Sequence, residues 1–136
     1  MVSITRRVEF SASHFCSNPE LSPEENRALY GKAANPAGHG HNYVLEVTVS
    51  GEVDPVHGMV MDLKELKHLM EHEVVEAFDH RFLNQEVPPF DRLNPTPENI
   101  AREIWRRLAP RVNHNGRRLA RVRLYETADL YVDHCE

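Results

Sequence analysis

Four segments of this chain alternate apolar and polar residues with a period of two, and this constrains the fold more than any other feature. In residues 2–14, Val2, Ile4, Val8, Phe10 and Ala12 share one parity, broken only by Arg6. In residues 39–51 the series is Tyr43, Leu45, Val47 and Val49. In residues 118–126 it is Ala120, Val122 and Leu124, and residues 129–135 form a shorter fourth segment. Neighbouring side chains on a strand point to opposite faces, so each segment predicts a strand with one buried face. Two helical stripes lie between the second and third segments. Asp62 starts the first, with Glu65 as a capping-box variant, and Leu63, Leu66, Met70, Val74, Ala77 and Phe78 recur at helical spacing. Thr96 caps the second, with Pro97 in its first turn. Ile100, Ala101, Ile104, Trp105 and Leu108 face the core, and Pro110 ends it. The order β-β-α-α-β-β predicts an α+β domain, an antiparallel sheet with two helices on one face. Residues 15–38 read as a long loop with a helical turn around Pro23–Leu29. A loop of that length in a small domain is usually functional or disordered.

The 136 residues are 40% hydrophobic and 27% charged. They fit a single domain over 1–136 that can bury a core without disulfide staples. The only cysteines, Cys16 and Cys135, suit a reducing, cytoplasmic compartment. The N-terminus "MVSITRRVEF" alternates and shows no signal-peptide core, and no apolar run is long enough to cross a bilayer. A net charge of -5 argues against nucleic acid as the partner.

The parity of the first two strands runs on into histidine. His14 continues the face of Val8, Phe10 and Ala12, while His39 and His41 precede Tyr43 on its face. If the strands pair antiparallel, the end of one lies beside the start of the other, and the three imidazoles meet at one end of the helix-covered face. Three neutral imidazoles with an open fourth position suit catalytic zinc, whereas a structural site takes four protein ligands. The alternative is three edge histidines with ordinary hydrogen bonds. Gly40 between the paired histidines admits close backbone approach. Glu126 extends the face of Ala120, Val122 and Leu124, so a carboxylate ends an apolar row. A buried carboxylate needs a partner, such as the paired N–H donors of a guanine-like or pterin ring, and an edge glutamate in water is the alternative. Glu98 in the first turn of the second helix favours the helix dipole. Asp79 beside His80 can orient or charge the imidazole. His68 and His72 lie opposite the apolar stripe, "HEVVE" is not a zinc-protease motif, and no phosphate loop is present. Arg106, Arg107, Arg117, Arg118, Arg121 and Arg123 read as a solvated cluster or as help for an anionic substrate.

From Val8 onward the chain resembles the 6-pyruvoyltetrahydropterin synthase family, which includes 6-carboxytetrahydropterin synthases. The resemblance is carried by "FSASHF", "GKAANPAGHGHNY", "GEVDPVHGMVMDLKELK", "FDHRFLN", "NPTPENIAREIW" and "LYET". It implies the T-fold, with subunits closing edge to edge into a barrel, commonly a homo-hexamer built as a dimer of trimers. It also implies zinc on His14, His39 and His41, a pterin anchored by Glu126 with Glu98 and Thr96 in the pocket, and Asp79 and His80 working across a subunit interface. The expected activity is a zinc-dependent lyase on 7,8-dihydroneopterin triphosphate or a related dihydropterin, with His80 as acid–base group oriented by Asp79. One position departs: the family's catalytic cysteine corresponds to Ala33. A methyl group carries no proton, so Cys16, Glu24 or Glu25 would have to substitute. Aldolase-like cleavage of the side chain, or a homologue that binds zinc and pterin without turnover, are the alternatives.

Overall fold

The computed structural model describes residues 1–136. In chain order its elements are β1 (Val2–His14), α1 (Pro23–Tyr30), a 3-10 turn (Gly31–Ala34), β2 (His39–Gly51), α2 (Leu63–Met70), a π-helical turn (Glu71–Val75), α3 (Glu76–Phe78), β3 (Arg81–Phe82), α4 (Leu83–Glu86), α5 (Pro97–Val112), β4 (Arg118–Thr127) and β5 (Leu130–Cys135). The sheet order is β3-β1-β2-β4-β5, antiparallel except where β3 runs parallel to β1. The α+β class and the four alternating strands are as the sequence implies, and no helix is long and apolar enough to cross a membrane.

One face of the sheet and the helices α2 to α5 enclose the core. Tyr43, Leu45, Val47 and Val49 of β2 are fully buried against Leu66, Met70, Val74, Phe78, Ile100, Ile104 and Leu108. Phe10 stacks on Tyr43 at 5.0 Å, and Phe78 meets Phe10 edge-on at 5.6 Å. Each such aliphatic or aromatic burial contributes about 1.5–3 kcal/mol. The long helix α5 is fastened by Glu103, which is 5% exposed and accepts N–H bonds from Arg106 and Arg107 at 2.7 Å. Arg107 also donates to the Pro88 carbonyl and lies over the Phe78 ring at 4.9 Å. The opposite face of the sheet is polar and largely self-paired. Ser3 bonds Ser50 at 2.6 Å, Thr5 bonds Thr48 at 2.8 Å, and Arg123 forks onto Asp133.

Several details depart from the alternation. Leu66, Met70, Val74 and Phe78 recur every four residues and are all fully buried. An α-helix has 3.6 residues per turn and would carry a spacing of four off the face, so the wider π-turn at Glu71–Val75 keeps the series pointing inward. Leu63, counted in the stripe, is 39% exposed at the first position of α2. Pro110 does not end α5: in the last turn only one ladder bond is lost, and the fully buried Val112 holds the chain on its helical path. In β4 a bulge opposite Thr48 and Val49 leaves Ala120 unpaired, so Leu119 rather than Ala120 enters the core. The helical turn in residues 15–38 is a full helix, α1. Ser22 and Glu25 form its capping box, and the buried Asn26 amide bonds Asn18, Leu21 and Ser22 to tie the preceding loop to it.

Candidate metal centre

Pairing in register places His14 of β1 opposite His39 of β2, with Ala12 opposite His41. All three imidazoles therefore meet at one end of the core face. Their donor nitrogens lie within 4.8 Å of one another, and the ring centroids are 4.6, 4.9 and 5.1 Å apart. Gly40, between the pair, lies on the opposite face and has room for a side chain, its nearest neighbour being the Ala12 carbonyl at 3.6 Å. The constrained glycine is Gly38, at φ +80°, where a Cβ would meet the Phe82 ring at 3.0 Å. It turns the chain into β2 so that His39 starts on the correct face.

The cluster fits a divalent cation bound by imidazoles. His14 is 1% exposed, and its Nδ1 lies 2.7 Å from the Pro95 carbonyl. A carbonyl only accepts, so Nδ1 carries the proton and Nε2 presents a lone pair to the site. Burial, with smaller effects of His39 and His41, brings the His14 pKa from 6.5 down to about 4. Burial and His39 lower that of His41 as well. The buried Nε2 of His41 has no hydrogen-bond partner. Neutral rings with free lone pairs are the protonation state a metal requires.

Glu126 stands directly against this ring of donors. Its carboxylate oxygens lie 3.7 Å from His41 Nε2 and 3.9 Å from His14 Nε2. Burial and then the charge of Glu98 raise its pKa. It sits at a second bulge of β4, between Tyr125 and Thr127, where the β5 ladder skips a residue. Bulges re-aim side chains, and this one directs Glu126 toward the histidines. Glu98 is exposed in the first turn of α5, close enough for its charge to act on both Glu126 and Cys16. The Thr96 hydroxyl accepts the Asn99 N–H and caps α5, one residue past the Pro95 that holds His14.

Asp79 and His80 do not reach this cluster within the chain. They follow α3 at the sheet edge, where Asp79 accepts the Ser11 N–H at 2.8 Å and lies 3.0 Å from His80 Nδ1. The Ser11 bond, ahead of the contribution of His80, lowers the Asp79 pKa. His80, at φ +61°, borders a cleft with Ser11, Ser13 and Gly40. Those three have the parity opposite to the clustered histidines, so the pair lies on the other side of the sheet edge. Ala33 lies in the 3-10 turn and lines a cleft with Lys32, Asn35, Gly38 and His39.

Tyr43 was not assigned to the site from sequence, and Cys16 was named only as a substitute for the missing proton carrier. Tyr43 is fully buried with its hydroxyl 3.4 Å from His14 Nε2. Its parity matched the histidines, but it reads as ordinary core. Cys16 is 7% exposed, and its backbone N–H donates to the Ala33 carbonyl at 2.8 Å. Burial, then Glu126 and Glu98, pushes its thiol up to about 11. Glu24 and Glu25 are exposed in the first turn of α1, where Glu25 closes the capping box.

Known proteins share much of this sequence and its fold. A human 6-pyruvoyl tetrahydrobiopterin synthase is 48% identical over 124 residues, covering 91% of this chain and 84% of the relative. A Rickettsia bellii 6-carboxy-5,6,7,8-tetrahydropterin synthase is 28% identical over 98% of this chain and 99% of its own. The solved Caenorhabditis elegans 6-pyruvoyl tetrahydropterin synthase superposes with a TM-score of 0.92 at 37% identity, covering 99% of this chain and 95% of that one. The fold is accordingly that of the T-fold synthases. The family model described as 6-pyruvoyl tetrahydropterin synthase matches residues 3–136, and the chain belongs to that family.

Proposed function

We propose that the protein is a zinc-dependent lyase acting on 7,8-dihydroneopterin triphosphate or a related dihydropterin. The observation that carries the reading is the ring of three imidazole donors within 4.8 Å, with the Glu126 carboxylate against it. His14, His39 and His41 hold the ion, which when bound supplies Lewis acidity toward substrate oxygens. The Pro95 carbonyl fixes the His14 tautomer. Glu98, exposed at the mouth, accepts the N–H donors of the pterin ring, with Thr96 beside it. Glu126, at the histidine end, accepts from ring or side-chain hydroxyl groups. His80, oriented by Asp79, moves protons in the site of an adjoining subunit, because in its own chain it lies on the far side of the sheet edge. That role requires the homo-hexameric barrel expected of the family.

Ala33 leaves the family's usual proton carrier unfilled. The nearest thiol is Cys16, whose raised pKa keeps it protonated. The proton transfer made by the missing cysteine is therefore slow, and general acid–base help of this kind contributes about 10²–10⁴-fold. Incubation with 7,8-dihydroneopterin triphosphate and mass analysis of the products tests the reading. A 6-pyruvoyl- or 6-carboxy-tetrahydropterin supports it. Side-chain cleavage products alone would move the assignment to an aldolase, and tight pterin binding without turnover to a non-catalytic homologue.

A further inference from the structure

A phosphorylated substrate constrains this chain through charge. The net charge is -5. At the metal centre Glu126 faces the histidines at 3.7 and 3.9 Å, and Glu98 is near enough for its charge to act on Glu126. A polyphosphate tail is repelled from those carboxylates and has to leave the histidines along another side. The cleft of 510 Å³ beyond the C-terminal end of β2 is closed to it as well. Glu52, Asp54, Asp62 and Glu65 line that cleft, and its arginine, Arg117, is paired with Glu65 at 3.0 Å.

Two connected clefts offer the opposite charge. The smaller, of 370 Å³, is lined by His39, Gly38, Asn35, Ala33 and Lys32. Lys32 and Asn35 also line the larger, of 610 Å³, together with Arg27 and Gly31. No carboxylate lines either cleft, and the exposed Arg27 and Lys32 form no ion pair. The walls are held in place. The Cys16 N–H donates to the Ala33 carbonyl, and the buried Asn26 amide ties α1 to the loop before it. Gly31, at φ +62°, turns the chain between the two cations so that both line one cleft. The C-terminal end of α1 opposes an anion with about half a charge, which two full cations outweigh. We propose that Lys32 and Arg27 bind the triphosphate of the substrate, Lys32 where the tail leaves the metal centre and Arg27 further along it. The substrate is thereby the phosphorylated dihydropterin rather than the free alcohol. This inference rests on the reading of the protein as a dihydropterin lyase.

The test compares 7,8-dihydroneopterin triphosphate with 7,8-dihydroneopterin, which lacks the phosphates, in binding to the zinc-loaded protein before turnover. The wild type should bind the triphosphate form at least about tenfold more tightly, the increment expected of charge-assisted contacts. Arg27→Gln/Lys32→Gln should remove most of that preference by weakening the phosphorylated ligand alone. Lys64→Gln/Arg102→Gln makes the same change in net charge with two exposed residues that line neither cleft, and it should keep the preference. Circular dichroism verifies that both variants fold. Equal affinity of the wild type for the two pterins would overturn the subsite. So would a preference that the Arg27/Lys32 variant retains, or one that both variants lose alike. Inorganic triphosphate, titrated into chelator-treated protein so that no metal competes for it, separates this inference from the reading beneath it. If neither pterin binds, yet inorganic triphosphate binds the wild type and not the Arg27/Lys32 variant, the dihydropterin reading falls and the anion site stands. If none of the three binds the wild type, both fall.

Discussion

Acid should destabilise the metal-free protein through His14 in particular. In the folded chain this imidazole is buried, its Nδ1–H is held by Pro95, and its pKa falls from 6.5 to about 4. The unfolded chain has an exposed imidazole of ordinary basicity. Between these two pKa values the unfolded state binds the extra proton and the folded state does not, so stability rises with pH across that window. The contribution is fully present above pH 6.5, is lost as pH falls toward 4, and is constant below. The difference corresponds to about 3 kcal/mol, since each pKa unit is worth about 1.4 kcal/mol. Urea unfolding of chelator-treated protein between about pH 7 and about pH 4.5 measures it. The comparison is His14→Asn, whose amide still donates to the Pro95 carbonyl but does not titrate. His41 adds a slope of the same sign, and Glu126, with its raised pKa, one of opposite sign, but both are present in each protein. Over that pH range the wild type should lose about 2.4 kcal/mol more than the variant, most of the full difference. Parallel curves for the two proteins would refute the claim that His14 is held neutral by burial.

Three further outcomes are expected. Protein purified without added metal should carry about one zinc per chain, and a His39→Ala/His41→Ala double variant should lose it; equal zinc by metal analysis would remove the site. Ala33→Cys should raise tetrahydropterin formation at saturating substrate by at least about tenfold, and an unchanged rate would mean another group already moves the proton. Glu103→Ala strands the Arg107 guanidinium, whose side chain is 19% exposed, and should cost about 3 kcal/mol in urea unfolding, against a reasoning that fails if the loss is below about 1 kcal/mol.

The meeting of the three imidazoles was legible because strand parity is a strict rule. His14, His39 and His41 continue rows whose other members are apolar, and antiparallel pairing does the rest. Parity fails where a strand carries an extra residue. The bulge at Ala120 exchanges it with Leu119, and nothing in "RRLARV" marks the place. The same limit applies to Glu126: its face was correct, but the bulge that sets its distance to the histidines depends on where β5 begins. The π-turn was hidden for a different reason, since spacings of three and four both read as helix and only the packing decides between them. Asp79 and His80 were recognised by type, yet their side of the sheet follows from the backbone bond to Ser11, a contact between residues 68 apart in sequence.

The hydroxyl ladder on the sheet's uncovered face has a consequence for how an assembly forms. Thr48 and Ser50 are 9% and 6% exposed there, yet each already has a partner in β1 of the same chain. Arg123 and Asp133 likewise neutralise each other without outside help. No polar atom of these pairs therefore waits for a neighbour. In the barrel proposed above, single subunits would not need a neighbour to satisfy these groups, so association would be governed by concentration rather than being a condition of folding.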